Sequence, residues 1–217
     1  MYKALLFDLD GTLAETDSLH LPTWVDALEP YGVEVDEEFY REHVSGRDTS
    51  EIVRDLLPEL SDEEKRSIGD AKEASFRERA SALEPLPGLV DFVELGRERG
   101  MKLVLVTNAP GENVQAILLA LELRDLFDGV VLADEVEAAK PDPAPYKAAL
   151  KKIGVRAEEA LAFEDSVSGI SSSVAAGIPT VGITSSQDPE RLLGAGAFTT
   201  AEDFTEPRLR ALLHAPG

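Results

Sequence analysis

From Gly88 to about Ile183 the chain repeats one pattern, a helix-period stretch followed by a short apolar run, and this leaves little choice of fold. Residues 88–99 read as a helix that passes through Gly100 into a strand at 102–106. Helix 111–121 leads to strand 129–132, and helix 143–153 leads to strand 160–163. Helix 166–176 leads through Gly177 to strand 179–183. Strands separated by helices pair in parallel, and right-handed crossovers place helices on both faces of the sheet. The apolar run within Lys3 to Asp8 supplies one more buried strand. The expected fold class is therefore α/β, with a Rossmann-like parallel sheet as the core.

The segment between the first strand and Pro85-Leu86-Pro87-Gly88 has a different texture. From Glu15 to about Glu84 it is charged and helical, with no convincing strand. Leu19, Trp24, Val25 and Leu28 recur at helical spacing, and Pro30-Tyr31-Gly32 breaks that helix. Two short helices are expected at 36–44 and 50–57, the second with Ser50 as its N-cap. Ser61-Asp62-Glu63-Glu64 reads as a capping box opening a long helix to about Ala82. The domains expected are a core of 1–14 and 85–217 and an inserted all-helical cap of 15–84. The end, His214 to Gly217, is expected to fray.

Composition narrows the class. The chain of 217 residues holds no cysteine, which excludes disulfides and thiolate chemistry. No twenty-residue apolar stretch and no leader-like start is visible, so a soluble cytoplasmic protein without a membrane partner is expected. Forty-two acidic against twenty-one basic residues give a formal charge of -21, which argues against nucleic-acid binding. Such a surface favours solubility, and a high-salt habitat is an alternative that one sequence leaves open.

Four landmarks fall where strands end. They are Asp8-Leu9-Asp10-Gly11-Thr12, Thr107-Asn108, Lys140-Pro141-Asp142 and Glu164-Asp165-Ser166. In an open parallel sheet, ligands bind beyond the carboxyl ends of the strands, so these distant residues are expected to converge. Asp8 and Asp10 lie two apart on an extended backbone and point the same way. Their repulsion would be relieved by a cation, with Asp165 as a third oxygen ligand, and an open oxygen-rich site suits Mg²⁺. Each landmark alone has an ordinary reading as a turn, a cap or a solvated loop charge. Their order and placement together point to phosphoryl transfer.

On these motifs the chain resembles the haloacid dehalogenase-like superfamily of phosphotransferases. Gly169-Ile170 and Ala175-Ala176-Gly177-Ile178-Pro179 fit the same pattern. The resemblance covers nearly the whole chain. It is nearest to the subgroup with a helical cap that contains β-phosphoglucomutases, phosphoglycolate phosphatases and small sugar-phosphate phosphatases. It implies that Asp8 attacks phosphorus and that Asp10 is the general acid and base. It implies Mg²⁺ held by Asp8, the Asp10 carbonyl and Asp165, with Glu164 in or beside the shell. Thr107 and neighbouring N–H groups would bind phosphoryl oxygens, with Asn108 in the same motif, and Lys140 would balance charge. Dehalogenases and phosphonate-cleaving relatives lack the second Asp, so Asp10 favours P–O chemistry on an alcohol leaving group.

A small phosphorylated metabolite is the expected partner, bound by a monomer or weak homodimer at the interface of cap and core. His20, Arg47 and Lys72 are the cap candidates for contact with it, Lys72 on a charged helix that also carries Arg77 and Arg79. Trp24 is expected in the cap core. The mutases of the subgroup carry a Ser-Lys-Asn run where this chain has Ala109-Pro110-Gly111, and a cap Arg a few residues beyond Gly46 where it has Thr49 and Ser50. The expected activity is thus Mg²⁺-dependent hydrolysis of a small phosphomonoester. A phosphosugar mutase is the alternative, with Arg47 substituting in the grip. A non-catalytic binding module is a second alternative, disfavoured because Asp8 and Asp10 are both present.

Overall fold

A computed structural model describes residues 1–44 and 47–213. The expected fraying of 214–217 lies outside the described residues. The element order is β1 (Ala4–Phe7), α1 (Asp17–Leu28), α2 (Glu37–His43), α3 (Thr49–Leu56), α4 (Asp62–Arg79), α5 (Leu89–Glu98), β2 (Lys102–Thr107), α6 (Gly111–Ala120), β3 (Gly129–Leu132), α7 (Ala144–Ile153), β4 (Ala160–Glu164), α8 (Val167–Ala175), β5 (Thr180–Ile183), α9 (Pro189–Gly194), β6 (Thr199–Ala201) and α10 (Pro207–Leu212). The chain divides into two compact units, one of residues 1–15 with 84–217 and one of residues 16–83.

The first unit is built on a six-stranded sheet in the order β3-β2-β1-β4-β5-β6, parallel throughout. Strands of such a sheet are covered on both faces and read as continuous apolar runs. β1 fits this, with Ala4, Leu5, Leu6 and Phe7 all fully buried. Alternate residues serve opposite faces. Leu6, Val104 and Ala162 pack with Tyr146, Ala149 and Leu150 of α7. Phe7 instead stacks on Phe163 at 5.0 Å between ring centres, and Phe92 and Phe204 close around Phe163 at 5.2 and 5.4 Å. β1 lies between β2 and β4, with Phe7 level with Leu105 and Phe163. The chain therefore leaves β1 at the centre of the sheet's carboxyl edge. The strand β6, with α9 and α10 around it, has no counterpart in the sequence expectation. It is three residues long, and Thr199 and Thr200 are only half-buried.

The second unit is helical. α1 runs to Leu28, a tight turn covers Glu29–Tyr31, and Gly32 at φ 74° ends it, as the Pro-Tyr-Gly run predicts. Trp24, Leu28, Ile52, Val53 and Ile68 form its core. The capping box on α4 is present: Ser61 Oγ accepts from the Glu64 amide, and Glu64 accepts from the Ser61 amide at 2.9 Å. The N-cap of α3 is Asp48, not Ser50. Its Oδ1 accepts the Ser50 amide at 2.8 Å, and an ionised carboxylate is the stronger acceptor for the first-turn amides. α4 is not a wholly solvated face either. Lys72, Glu73, Ile68 and Phe76 on it are buried. Among the described residues, no helix is long and apolar enough to cross a membrane.

Candidate active site

β1, β2 and β4 bring three of the landmarks to adjacent strand ends. Asp8 follows β1, and its amide donates to the Phe163 carbonyl at 3.0 Å, which continues the β1–β4 ladder one residue further. Thr107 ends β2 and Glu164 ends β4. Asp8, Thr107, Lys140, Glu164 and Asp165 are all buried.

Lys140 ties these ends together from a loop. Its Nζ donates to Asp8 Oδ1 at 2.6 Å, to Glu164 Oε1 at 2.6 Å and to the Val106 carbonyl at 2.7 Å. Three acceptors satisfy the three protons of an ammonium. The loop itself is held by Asn108, whose Oδ1 accepts the Lys140 amide at 3.1 Å and whose Nδ2 donates to the Lys140 carbonyl at 3.3 Å. Asn108, expected among the phosphate-binding groups, thus has its amide turned to the main chain of Lys140. Thr107 Oγ1 accepts the Ala109 amide at 3.0 Å, which leaves its proton available to an oxygen acceptor.

Two glycines make room for the acids. Gly11 has φ 70°, and a Cβ there would lie 2.1 Å from Asp165 Oδ2. A Cβ on Gly169, in the first turn of α8, would lie 1.8 Å from Glu164 Oε2. No larger residue fits either place with the carboxylates where they are. Beyond β5, Ser186 Oγ donates to Asp165 Oδ2 and Ser185 Oγ donates to the Gly11 carbonyl. Neither serine was expected. Both follow the carboxyl end of a strand, so the rule that located the other residues reaches them too. Tyr146 on α7 was also missed, and its hydroxyl donates to Glu164 Oε1 at 2.6 Å.

The charges do not balance. Burial pushes the Asp8 carboxyl up to about 7, and Glu164 and Asp10 add to the rise while Lys140 opposes it. Burial likewise raises Asp165 well above the usual range, with Asp8 and Glu164 adding to it. Lys140 moves the other way from its own burial, because Asp8 and Glu164 outweigh it and hold the ammonium. An ion pair would normally depress its acid. Here burial, joined by the charge of the neighbouring carboxylates, outweighs the one ammonium, so the acid rises despite its partner.

A divalent cation suits this imbalance. Asp8, Glu164 and Asp165 each offer an oxygen, all within 4.8 Å of one another. The Glu164 Oε2 atom is buried without a hydrogen-bond partner. A hard cation with oxygen ligands and positions left for water and phosphate is Mg²⁺-like in demand. The carboxylate of Asp10 is outside this set, and the sequence expectation gave it a ligand role through its main-chain carbonyl.

His20, Arg47 and Lys72 lie in the helical unit. Lys72 is buried, with its Nζ 3.0 Å from His20 Nδ1, 3.0 Å from Glu73 Oε1 and 5.1 Å from the centre of the Trp24 ring. His20 stacks on Phe76 at 4.1 Å. Arg47 pairs with Asp55 and donates to the His43 carbonyl at 3.0 Å.

Comparison with known proteins identifies the family. A family model described as haloacid dehalogenase-like hydrolase matches residues 5–183. The chain is 31% identical to validoxylamine A 7'-phosphate phosphatase of Streptomyces hygroscopicus subsp. limoneus, over 96% of this chain and 97% of that protein. It is 32% identical to phosphorylated carbohydrates phosphatase of Thermotoga maritima, over 90% and 92% respectively. The crystal structure of CbbY from Rhodobacter sphaeroides in complex with phosphate is similar at a TM-score of 0.85, with 29% identity over 95% of this chain and 96% of that one.

Proposed function

The chain belongs to the haloacid dehalogenase-like hydrolase family, and from that premise we propose that it is a Mg²⁺-dependent phosphatase of small phosphorylated carbohydrates. The observation that carries the reading is the buried Asp8–Lys140–Glu164 cluster with Asp165 beside it. The relative named phosphorylated carbohydrates phosphatase supports the substrate class, and the one named validoxylamine A 7'-phosphate phosphatase supports phosphomonoester hydrolysis.

In this reading Asp8 attacks phosphorus and carries the phosphoryl group as an aspartyl-phosphate, which splits one hard step into two. Asp10 gives a proton to the departing alkoxide and then takes one from the water that cleaves the acyl-phosphate. Lys140 holds Asp8 Oδ1, which favours the ionised nucleophile and aims it. Thr107 offers its hydroxyl proton to a phosphoryl oxygen. Asp8, Glu164 and Asp165 would hold the Mg²⁺, which when bound neutralises charge on the phosphoryl oxygens. Positioning and electrostatics supply most of the rate in such transfers. Ala109-Pro110-Gly111 offers no cation for a second phosphate, which favours hydrolysis over mutase chemistry.

The test is phosphate release from sugar phosphates, phosphoglycolate and nucleotides, with Mg²⁺ and with EDTA. Steady release from a sugar monophosphate, lost in EDTA, supports the proposal. Rapid conversion of β-glucose 1-phosphate to glucose 6-phosphate that depends on glucose 1,6-bisphosphate would replace it with the mutase reading.

A further inference from the structure

We infer that Tyr146, which lies outside every motif named above, is a positioning residue that selects which oxygen of Glu164 is left for a cation. Its hydroxyl and Lys140 Nζ donate to the same atom, Glu164 Oε1, each at 2.6 Å. The other oxygen, Oε2, has no hydrogen-bond partner and lies in the space that Gly169 leaves open. A carboxylate without fixed donors exchanges its two oxygens by rotation about its last bond, which is soft. Two donors on one oxygen remove that freedom.

Packing alone does not account for a tyrosine here. Tyr146 is fully buried among Val106, Ala149 and Ala162, an apolar surround that phenylalanine would fill equally well. A buried hydroxyl is costly unless bonded, and this one has placed its bond on an active-site acid. The ring adds a second hold, since Lys140 Nζ lies 5.4 Å from its centre. Tyr146 therefore touches both members of the Lys140–Glu164 pair, from a helix packed on the sheet rather than from a strand-end loop. Partners of this kind orient metal ligands, and losing one typically weakens metal binding by about 10–100-fold.

The inference rests on the proposed cation at Asp8, Glu164 and Asp165, and the experiment separates the two. Mn²⁺ is titrated into the purified protein at pH 7.5 and followed by electron paramagnetic resonance, for the parent and for Tyr146→Phe and Tyr146→Met. Both variants lack the hydroxyl, and the first keeps the ring over Lys140. Calorimetry establishes that each is folded. The expected result is Mn²⁺ binding about tenfold weaker in Tyr146→Phe than in the parent, and weaker again in Tyr146→Met. With p-nitrophenyl phosphate at fixed, subsaturating Mg²⁺, kcat should fall while KM moves less than about twofold, because the tyrosine acts through Glu164. A parent that binds no Mn²⁺ sinks the metal reading and this inference with it. A parent that binds Mn²⁺ and a folded variant that binds it equally well overturn the inference and leave the proposed function standing. Failure of both variants to fold would make Tyr146 a packing residue and overturn it as well.

Discussion

Among the described residues each unit of the molecule buries one lysine, and the two sit among different neighbours. The Lys140 side chain is 4% exposed and that of Lys72 is 2%. Lys140 bonds Asp8, Val106 and Glu164, which are 132, 34 and 24 residues away in sequence. The sheet assembles that set, and burial first and the neighbouring carboxylates second raise Asp8 and Asp165 there against one ammonium. Lys72 meets its own neighbour Glu73, His20 and the faces of Trp24 and Phe76, on helices α1 and α4. Two aromatic faces, an imidazole and a carboxylate thus lie against it. Burial of a charge is therefore a poor guide to chemistry by itself. The sign and size of the imbalance around it is the better guide.

The largest expected effect tests the acidic side of that contrast. Asp8→Asn keeps the shape and removes the nucleophile, so turnover should fall by about a thousandfold or more, the scale on which such groups matter. Phosphate release from a good substrate measures it, with circular dichroism to verify the fold. A variant that retains near-parental turnover would remove Asp8 from the chemistry and leave its cluster a structural one.

The matched pair Lys140→Met and Lys72→Met breaks or sharpens the comparison most directly. Lys140→Met leaves Asp8 and Glu164 buried without their cation. It should abolish measurable turnover and cost about 3–5 kcal/mol in urea titration at pH 8 in EDTA. Part of that loss should return with Mg²⁺, because ligand binding stabilises the folded state. Lys72→Met leaves Glu73 with Thr49, whose hydroxyl donates to the same Oε1 atom at 2.5 Å. It should cost about 1–3 kcal/mol, with turnover retained per folded molecule. Loss of turnover in Lys72→Met, with stability unchanged, would reverse the roles.

A smaller effect follows from the pH dependence of the imbalance. Asp8 is an acid whose folded value, about 7, lies above its ordinary value of 3.8. Between those values the folded state binds more protons than the unfolded one. Stability without metal therefore falls as pH rises from about 4 to 7, and does not recover above it. The raised Asp165 acts in the same sense. Mg²⁺ favours the ionised acids, so it should flatten that fall. Urea midpoints at pH 5 and pH 8, with EDTA and with Mg²⁺, measure both halves. A metal-free protein more stable at pH 8 than at pH 5 would contradict the charge excess.

The comparison also separates what the sequence makes legible from what it hides. β1, β2 and β4 are legible because each holds an unbroken apolar run, as a strand covered on both faces requires. Asp8, Thr107 and Glu164 are legible as the residues that follow or end such runs. β6 is not, since Thr199-Thr200-Ala201 is short and half polar, and its place comes from pairing with β5. The burial of Lys72 is hidden because α4 is polar on average, and the Trp24 and Phe76 rings against it come from the packing of the helices. Tyr146 carries no signal of role along the chain, and the Thr107-Asn108 motif does not show that the Asn108 amide turns to the main chain of Lys140. Tyr146 looks like core and Asn108 like a cap, and their bonds to Glu164 and Lys140 exist only once β4, α7 and the Lys140 loop have packed.

The smallest expected effect concerns Arg47, the most exposed of the helical unit's candidate cations. Its pair with Asp55 is open to water, with the two side chains 33% and 44% exposed. Exposed pairs contribute roughly 0–1 kcal/mol, since solvent screens them and two long side chains lose freedom to hold them. Arg47→Ala should therefore shift stability by less than about 1 kcal/mol. Its kinetics carry the information. Asp55 is held below the usual carboxylate range by Arg47 first and Arg54 as well, so Asp55 keeps a cation when Arg47 leaves it. The guanidinium is thus free to exchange Asp55 for a phosphate at little cost, which Lys72, buried on Trp24, is not. If Arg47 grips the part of a substrate remote from the transferred group, Arg47→Ala should raise KM for a sugar bisphosphate severalfold. KM for p-nitrophenyl phosphate, which has no second anion, should stay unchanged. Equal KM values for both substrates in parent and variant would confine Arg47 to its surface pair with Asp55.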